Sequence, residues 1–183
     1  MAQSFEASVS GGISKLTNSA IGDDIYSSGA ITGSKVRLSD GFRLTFRIGV
    51  NLREHFGGEF GYGYNRSKLH FDGPPVTEQG FGIHQGFIDA LAYATPEKAR
   101  VRPFLAGGFQ FSNFVPPGSS AQYGQGENKF GVNYGGGVKV KFGEKWQVRF
   151  DFRQYETGKP FGLTNASGRL FENEISGGFG IVL

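Results

Sequence analysis

The side chains that could do chemistry in this chain are few. Histidine occurs only at positions 55, 70 and 84, and cysteine is absent. That excludes a thiol nucleophile, a Cys-ligated zinc or iron–sulfur site and a disulfide scaffold together. No histidine has a metal-ligand spacing such as His-Glu-x-x-His. His55 and His70 read as turn or loop surface. His84 is the one histidine that could serve a Ser, His and carboxylate hydrolase, and no His-x-Ser segment accompanies it. The glycine clusters Gly135–Gly137 and Gly177-Gly178 sit inside strand-like alternation rather than before a helix, so they are not phosphate loops. The densest chemistry is Arg149-Phe150-Asp151-Phe152-Arg153. Those charges could be catalytic in principle, but charges confined in a narrow interior need partners, and an ion-pair network is the better reading. No catalytic, metal or cofactor residue is expected, and no enzyme activity.

These residues sit on segments of period two. Phe42, Leu44, Phe46, Ile48, Val50 and Leu52 alternate with polar or glycine positions without an error, which marks a strand. The same pattern runs from Phe130 to Phe142 and from Trp146 to Phe152, and more weakly over Phe5–Ile13, Phe60–Tyr64, Leu105–Phe111 and Ile175–Leu183. An eighth segment lies at Gly80–Tyr93. There Asp89 and His84 fall on opposite parities, so a bulge is expected and its faces are unassigned. Tight turns near 53–57, 95–99 and 143–145 alternate with long Gly/Ser/Asn/Pro-rich stretches at 17–35, 67–79, 115–129 and 157–173. Eight strands of about ten residues, three turns and four loops fill the length, whereas sixteen strands would consume nearly all of it. The expected fold is all-β: one domain over 1–183, an eight-stranded antiparallel up-and-down transmembrane barrel with short periplasmic turns and long extracellular loops. Mean hydropathy is −0.29, and the chain has no run of eighteen apolar residues, so membrane helices are excluded.

Alternation alone does not say which face meets water, but the polar set decides. It is rich in glycine, as in Gly61, Gly63, Gly135 and Gly137, and the chain holds 31 Gly in all. Glycine on a solvated strand face costs entropy and packs against nothing, whereas inside a narrow barrel it makes room for long side chains. The apolar set is therefore expected to face lipid. The lumen would hold Arg43, Arg47, Lys139, Lys141, Arg149 and Arg153 with Glu6, Glu59, Asp151 and Glu174, and there bases outnumber acids. A turn at Gly143–Lys145 sets Lys139 opposite Arg149, which makes Asp151 the expected hub, with Glu174 helping. Tyr64, Phe111 and Phe130 at one height, with Phe142 and Trp146 at the other, fit two aromatic girdles at membrane interfaces. Phe114 and Tyr93 are placed with them. The charge balance, 19 Lys+Arg against 16 Asp+Glu, gives no clustered basic patch, so nucleic-acid binding is not expected.

The chain resembles the outer-membrane β-barrel domains of the OmpA-like superfamily, especially small stand-alone bacterial members. The resemblance covers nearly the whole chain. It is carried by the strand and loop rhythm and by Arg149-Phe150-Asp151-Phe152-Arg153-Gln154-Tyr155, which looks like a seventh-strand segment of such barrels. It implies a place in the bacterial outer membrane and a removed signal peptide, Met1-Ala2 reading as a start placed before a mature N-terminus. It also implies a last strand read by the barrel-assembly machinery, and Leu183 stands where an aromatic is usual. The implied surroundings are outer-membrane lipid and lipopolysaccharide, with the protein a monomer. The implied function is structural, with envelope integrity, adhesion or surface recognition carried by the loops. A narrow pore for small solutes or ions is the second reading, a soluble ligand-binding barrel the third and a lipid-modifying enzyme the fourth.

Overall fold

The computed structural model describes residues 4–24, 34–72, 76–118 and 126–183. The middles of three expected loops and Met1–Gln3 lie outside the described residues. Among the described residues ten strands are present: β1 (Ser4–Thr17), β2 (Ala20–Asp24), β3 (Ser34–Leu38), β4 (Gly41–Arg53), β5 (Phe56–Phe71), β6 (Thr77–Tyr93), β7 (Val101–Val115), β8 (Glu127–Phe142), β9 (Trp146–Gly158) and β10 (Arg169–Val182). Eight of them form the wall, in the order β5-β4-β1-β10-β9-β8-β7-β6, and β6 pairs back onto β5 to close it. Every wall pairing is antiparallel between neighbours along the chain or between its two ends. This is the expected up-and-down barrel. β2 and β3 form an extra hairpin that extends the wall at the loop end, with Val36 opposite Phe71.

The side-chain alternation resolves the faces. Phe46, Phe109, Leu105 and Phe179 are exposed on the outer wall, while Arg43, Arg47, Arg149 and Arg153 are buried within it. A soluble barrel would put these two sets the other way round, so the soluble ligand-binding reading is overturned. The glycines do the work expected of them. A Cβ at Gly61 would run into the Phe87 ring, and one at Gly63 into the Arg43 guanidinium. The turn between β8 and β9 is closed by Gly143 at φ +71°, a left-handed conformation that costs other residues energy.

Three expectations need correction. The segment at 80–93 has no bulge: β6 keeps an unbroken register with β5 from Phe56↔Ala92 to Phe71↔Thr77, and with β7 from Gly82↔Val115 to Tyr93↔Phe104. Its inward residues include Phe81, Ile83, Phe87, Leu91 and Tyr93, so both faces are apolar over much of its length and the pattern vanishes from the sequence. The stretch at 67–79 is mostly strand rather than loop, because β5 and β6 run on past the membrane band. A strand needs only about 9–11 residues to cross, and β6 has 17. Phe114 and Tyr93 point inward, not to the girdles.

The interior is layered. At the loop end Leu16, Ile21, Val36, Leu38, Leu69, Phe81, Ile83, Phe114 and Leu170 form an apolar cap, with Phe161 and Leu163 packed against it. The last loop is fastened over this cap, for Asp23 N donates to Thr164 O at 2.8 Å and Asn165 Nδ2 to Asp23 Oδ2 at 2.7 Å. At the turn end Leu91, Tyr93, Phe104 and Ala106 form a smaller cluster. Most of the buried charged residues lie between the two, while Arg102 sits among the turn-end cluster, over the Tyr93 ring, and donates to Glu54 O of the turn at 3.1 Å. Because the outer face must meet lipid, Phe46→Arg, half exposed in the middle of β4, should destabilise the barrel in lipid vesicles by about 2–4 kcal/mol. Equilibrium urea unfolding checks this, and an unchanged midpoint would contradict the face assignment.

Candidate functional site

The barrel interior gathers the chemistry of the chain. Among the described residues, six bases are buried there (Arg43, Arg47, Arg102, Lys139, Arg149, Arg153) and six acids (Glu6, Glu59, Asp89, Asp151, Glu172, Glu174). The excess of bases expected from sequence is absent: the lumen is balanced. The reason is that Asp89 and Glu172 join the acids, while Arg102 takes the place of Lys141 among the bases. Lys141 sits half exposed at the turn end and donates to Glu97 O at 2.8 Å.

Glu59 is the node of the middle layer. Its carboxylate takes Arg149 Nη1 at 2.8 Å and Arg153 Nη2 at 3.0 Å, and Arg47 Nε lies 3.5 Å away. Asp151 holds Arg149 by two parallel bonds of 2.8 Å, the bidentate geometry that suits a guanidinium. Arg153 also reaches Asp89 at 2.6 Å. Toward the loop end Glu174 receives Arg47 at 2.8 Å and Arg43 at 3.0 Å, and it accepts from Tyr155 Oη at 2.7 Å. Glu172 pairs with Arg43 at 2.6 Å and accepts from Ser14 Oγ at 2.8 Å. Toward the turns Glu6 meets Lys139 Nζ at 2.5 Å and accepts from Asn51 and Gln147. Lys139 also donates to Tyr93 Oη at 2.9 Å, and the Arg102 guanidinium lies 3.7 Å over the Tyr93 ring.

The register does set Lys139 opposite Arg149. Asp151 nevertheless does not bridge them, because Lys139 reaches across the lumen to Glu6 and leaves Asp151 to the two arginines of its own strand. The hub is Glu59 instead. Reasoning along the chain missed Asp89, Arg102 and Glu172. Asp89 was lost with the unassigned faces of its segment. Arg102 precedes Pro103, outside the visible alternation. Glu172 sits two residues before Glu174 on the same parity, a signal that was present.

The proposed girdle residues all face outward. Phe111 and Phe130 are opposed across β7 and β8 in an edge-to-face pair at 5.2 Å, and Phe142 is opposed to Trp146 at the turn. Tyr64 lies 4.9 Å from the His84 ring, which also meets Tyr62 Oη at 2.5 Å. Among the described residues the one side-chain hydrogen bond of His84 is to Tyr62, with no carboxylate or serine partner, and no group of His, Cys, Asp or Glu is arranged to hold a metal ion.

An interior closed on charges inside a wall that is apolar outside is the inverse of a soluble core. Residues 1–181 match the family model described as the outer membrane protein beta-barrel domain. The chain belongs to that family. Such barrels face the periplasm with their short turns and the exterior with their long loops, and the bacterial outer membrane is the location of this one. Its fold is similar to solved outer-membrane barrels. OprG of Pseudomonas aeruginosa is 13% identical, with 97% of this chain and 95% of that one covered and a TM-score of 0.65. Neisserial surface protein A is 15% identical, with 99% of each chain covered and a TM-score of 0.61. Ail, the attachment invasion locus protein of Yersinia pestis, is 13% identical, with each chain covered in full and a TM-score of 0.51. No curated protein matches the chain.

Breaking a buried ion pair from one side leaves unpaired charge and costs about 3–5 kcal/mol. Glu59→Ala in this outer-membrane barrel, which strips three arginines of a shared partner, should therefore destabilise it by at least that much and by more than Asp151→Ala. Lys141→Ala should stay within about 0.5 kcal/mol, as surface changes do. Unfolding midpoints of the three variants in one detergent check the order, and equal midpoints for Glu59→Ala and wild type would refute the node.

Proposed function

We propose that this protein is a closed structural element of the outer membrane that acts at the cell surface through its extracellular loops, in recognition or adhesion, rather than by passing solutes through its lumen. The observation that carries this reading is the layered interior. An apolar cap lies under the loops, a balanced charge network fills the middle and an aromatic cluster stands at the turns. A conducting pore needs a continuous polar path, and the loop end of this one is closed by apolar side chains, while Tyr93 and Phe104 narrow the turn end beside Arg102. The fastened last loop presents a defined outer surface in place of an open mouth. The barrel of Ail, an attachment invasion protein, shares the architecture. The barrel stands as a monomer among outer-membrane lipid and lipopolysaccharide, its outward aromatics seating it at the two interfaces, and the barrel-assembly machinery inserts it. No catalytic role is proposed for the interior, where each carboxylate is engaged by a base.

Single-channel recording in planar bilayers tests the reading. Wild type should pass current near zero, and Glu59→Ala should open a leak if it folds. A steady wild-type conductance would transfer the function to the narrow pore, with weak preference between anions and cations because the lumen is balanced.

A further inference from the structure

The outer wall is indented near its loop end. The chain bends at Ser39-Asp40 between β3 and β4, and Gly41 at the bend carries no side chain. The wall dips there into a cleft of about 810 Å³ lined by Lys15 of β1 on one side and by Arg66 and Lys68 of β5 on the other, with Ile13 and Phe42 along its lower edge. The registers place Ile13, Phe42 and Arg66 in one row across three strands. Two strand spacings, roughly 10 Å, separate the strands that carry Lys15 and Arg66.

The charges in the cleft are not equivalent. Lys68 is occupied by Glu78 at 2.8 Å, and Asp40 Oδ1 accepts from the Leu16 amide at 2.9 Å. Elsewhere at the loop end Lys129 pairs with Glu127 and Arg169 with Glu156, while Lys35 and Lys159 have no carboxylate partner among the described residues but do not line this cleft. Lys15 and Arg66 have no carboxylate partner among the described residues and are exposed. Two free cations on strands two spacings apart, flanking one cleft and directly above side chains that face acyl chains, have the chemistry of a lipid headgroup site. The guanidinium can take a phosphate by two parallel bonds and the ammonium can add a point charge.

We propose that the cleft between Lys15 and Arg66 binds the phosphorylated headgroup of the outer-leaflet glycolipid, the lipid A of lipopolysaccharide, with its acyl chains lying over Ile13 and Phe42. The site is on the outside of the wall and does not depend on whether the lumen conducts. It ties the glycolipid to the seam where the extracellular hairpin joins the barrel, so the lipid would brace the loop end.

Native mass spectrometry of the folded protein in detergent, titrated with bis-phosphorylated lipid A, is the test. Wild type should retain one lipid A, and the double variant Lys15→Gln with Arg66→Gln should bind it roughly tenfold more weakly or worse, each base at a lipid surface contributing a factor of about five. Arg169→Gln should bind as wild type does. An unchanged migration shift between unheated and boiled samples shows that the variants are folded; should the double variant fail to fold, each single change is expected to weaken binding about fivefold. Equal binding by wild type and the folded double or single variants overturns the site. Equal affinity of wild type for dephosphorylated lipid A overturns it in favour of acyl contact alone, and displacement of lipid A by inorganic phosphate at matched concentration overturns the lipid as the source of the phosphate.

Discussion

The structure depends on the need to neutralise twelve charges sealed in a narrow tube. Each buried ion loses its hydration, and attraction repays that loss only when geometry is good and the remaining hydrogen-bonding atoms are met. The barrel meets this demand chiefly by pairing across the lumen, with Asp151 held by the two arginines of its own strand. Glu59 on β5 receives Arg149 and Arg153 from β9, and Glu6 on β1 receives Lys139 from β8. These links join strands on opposite sides of the tube, so they oppose flattening of the barrel as well as loss of register.

Much of the remaining architecture follows. Large inward side chains fit only where their neighbours in the wall are small, which explains glycine at 61 beside the Phe87 ring and at 63 beside the Arg43 guanidinium. The charges must be kept from bulk water for the pairs to be strong; the apolar cap does this at the loop end, and Tyr93 and Phe104 pack against Arg102 and Lys139 at the turn end. The apolar residues outside are then free to serve the membrane alone.

The outward face was legible because lipid is a uniform solvent. It asks every outward position for the same thing, so alternation in β4, β8 and β9 survives as a clean period of two. The lumen is not uniform, and this is where reading along the chain failed. In β6 the inward positions pass from the apolar cap, Phe81 and Ile83, through Gln85 and Asp89, to the turn-end cluster at Leu91 and Tyr93. No single parity rule describes such a strand, so its register looked broken where it is continuous. The same cause hid Phe114, an aromatic at a strand end that caps the interior instead of meeting the interface.

What the sequence alone determined was the number of wall strands, their direction, the end that carries long connections and the side of the wall that faces lipid. All four are encoded in local periodicity and punctuation. What only the tertiary structure decided was who pairs with whom. Lys139 and Arg149 are neighbours in the sheet, yet Lys139 finds its acid on β1, a hundred and thirty-three residues away in the chain. A side chain that crosses a lumen chooses its partner by height and reach around a closed circle of strands, and neither quantity is written in the spacing of residues along any one of them.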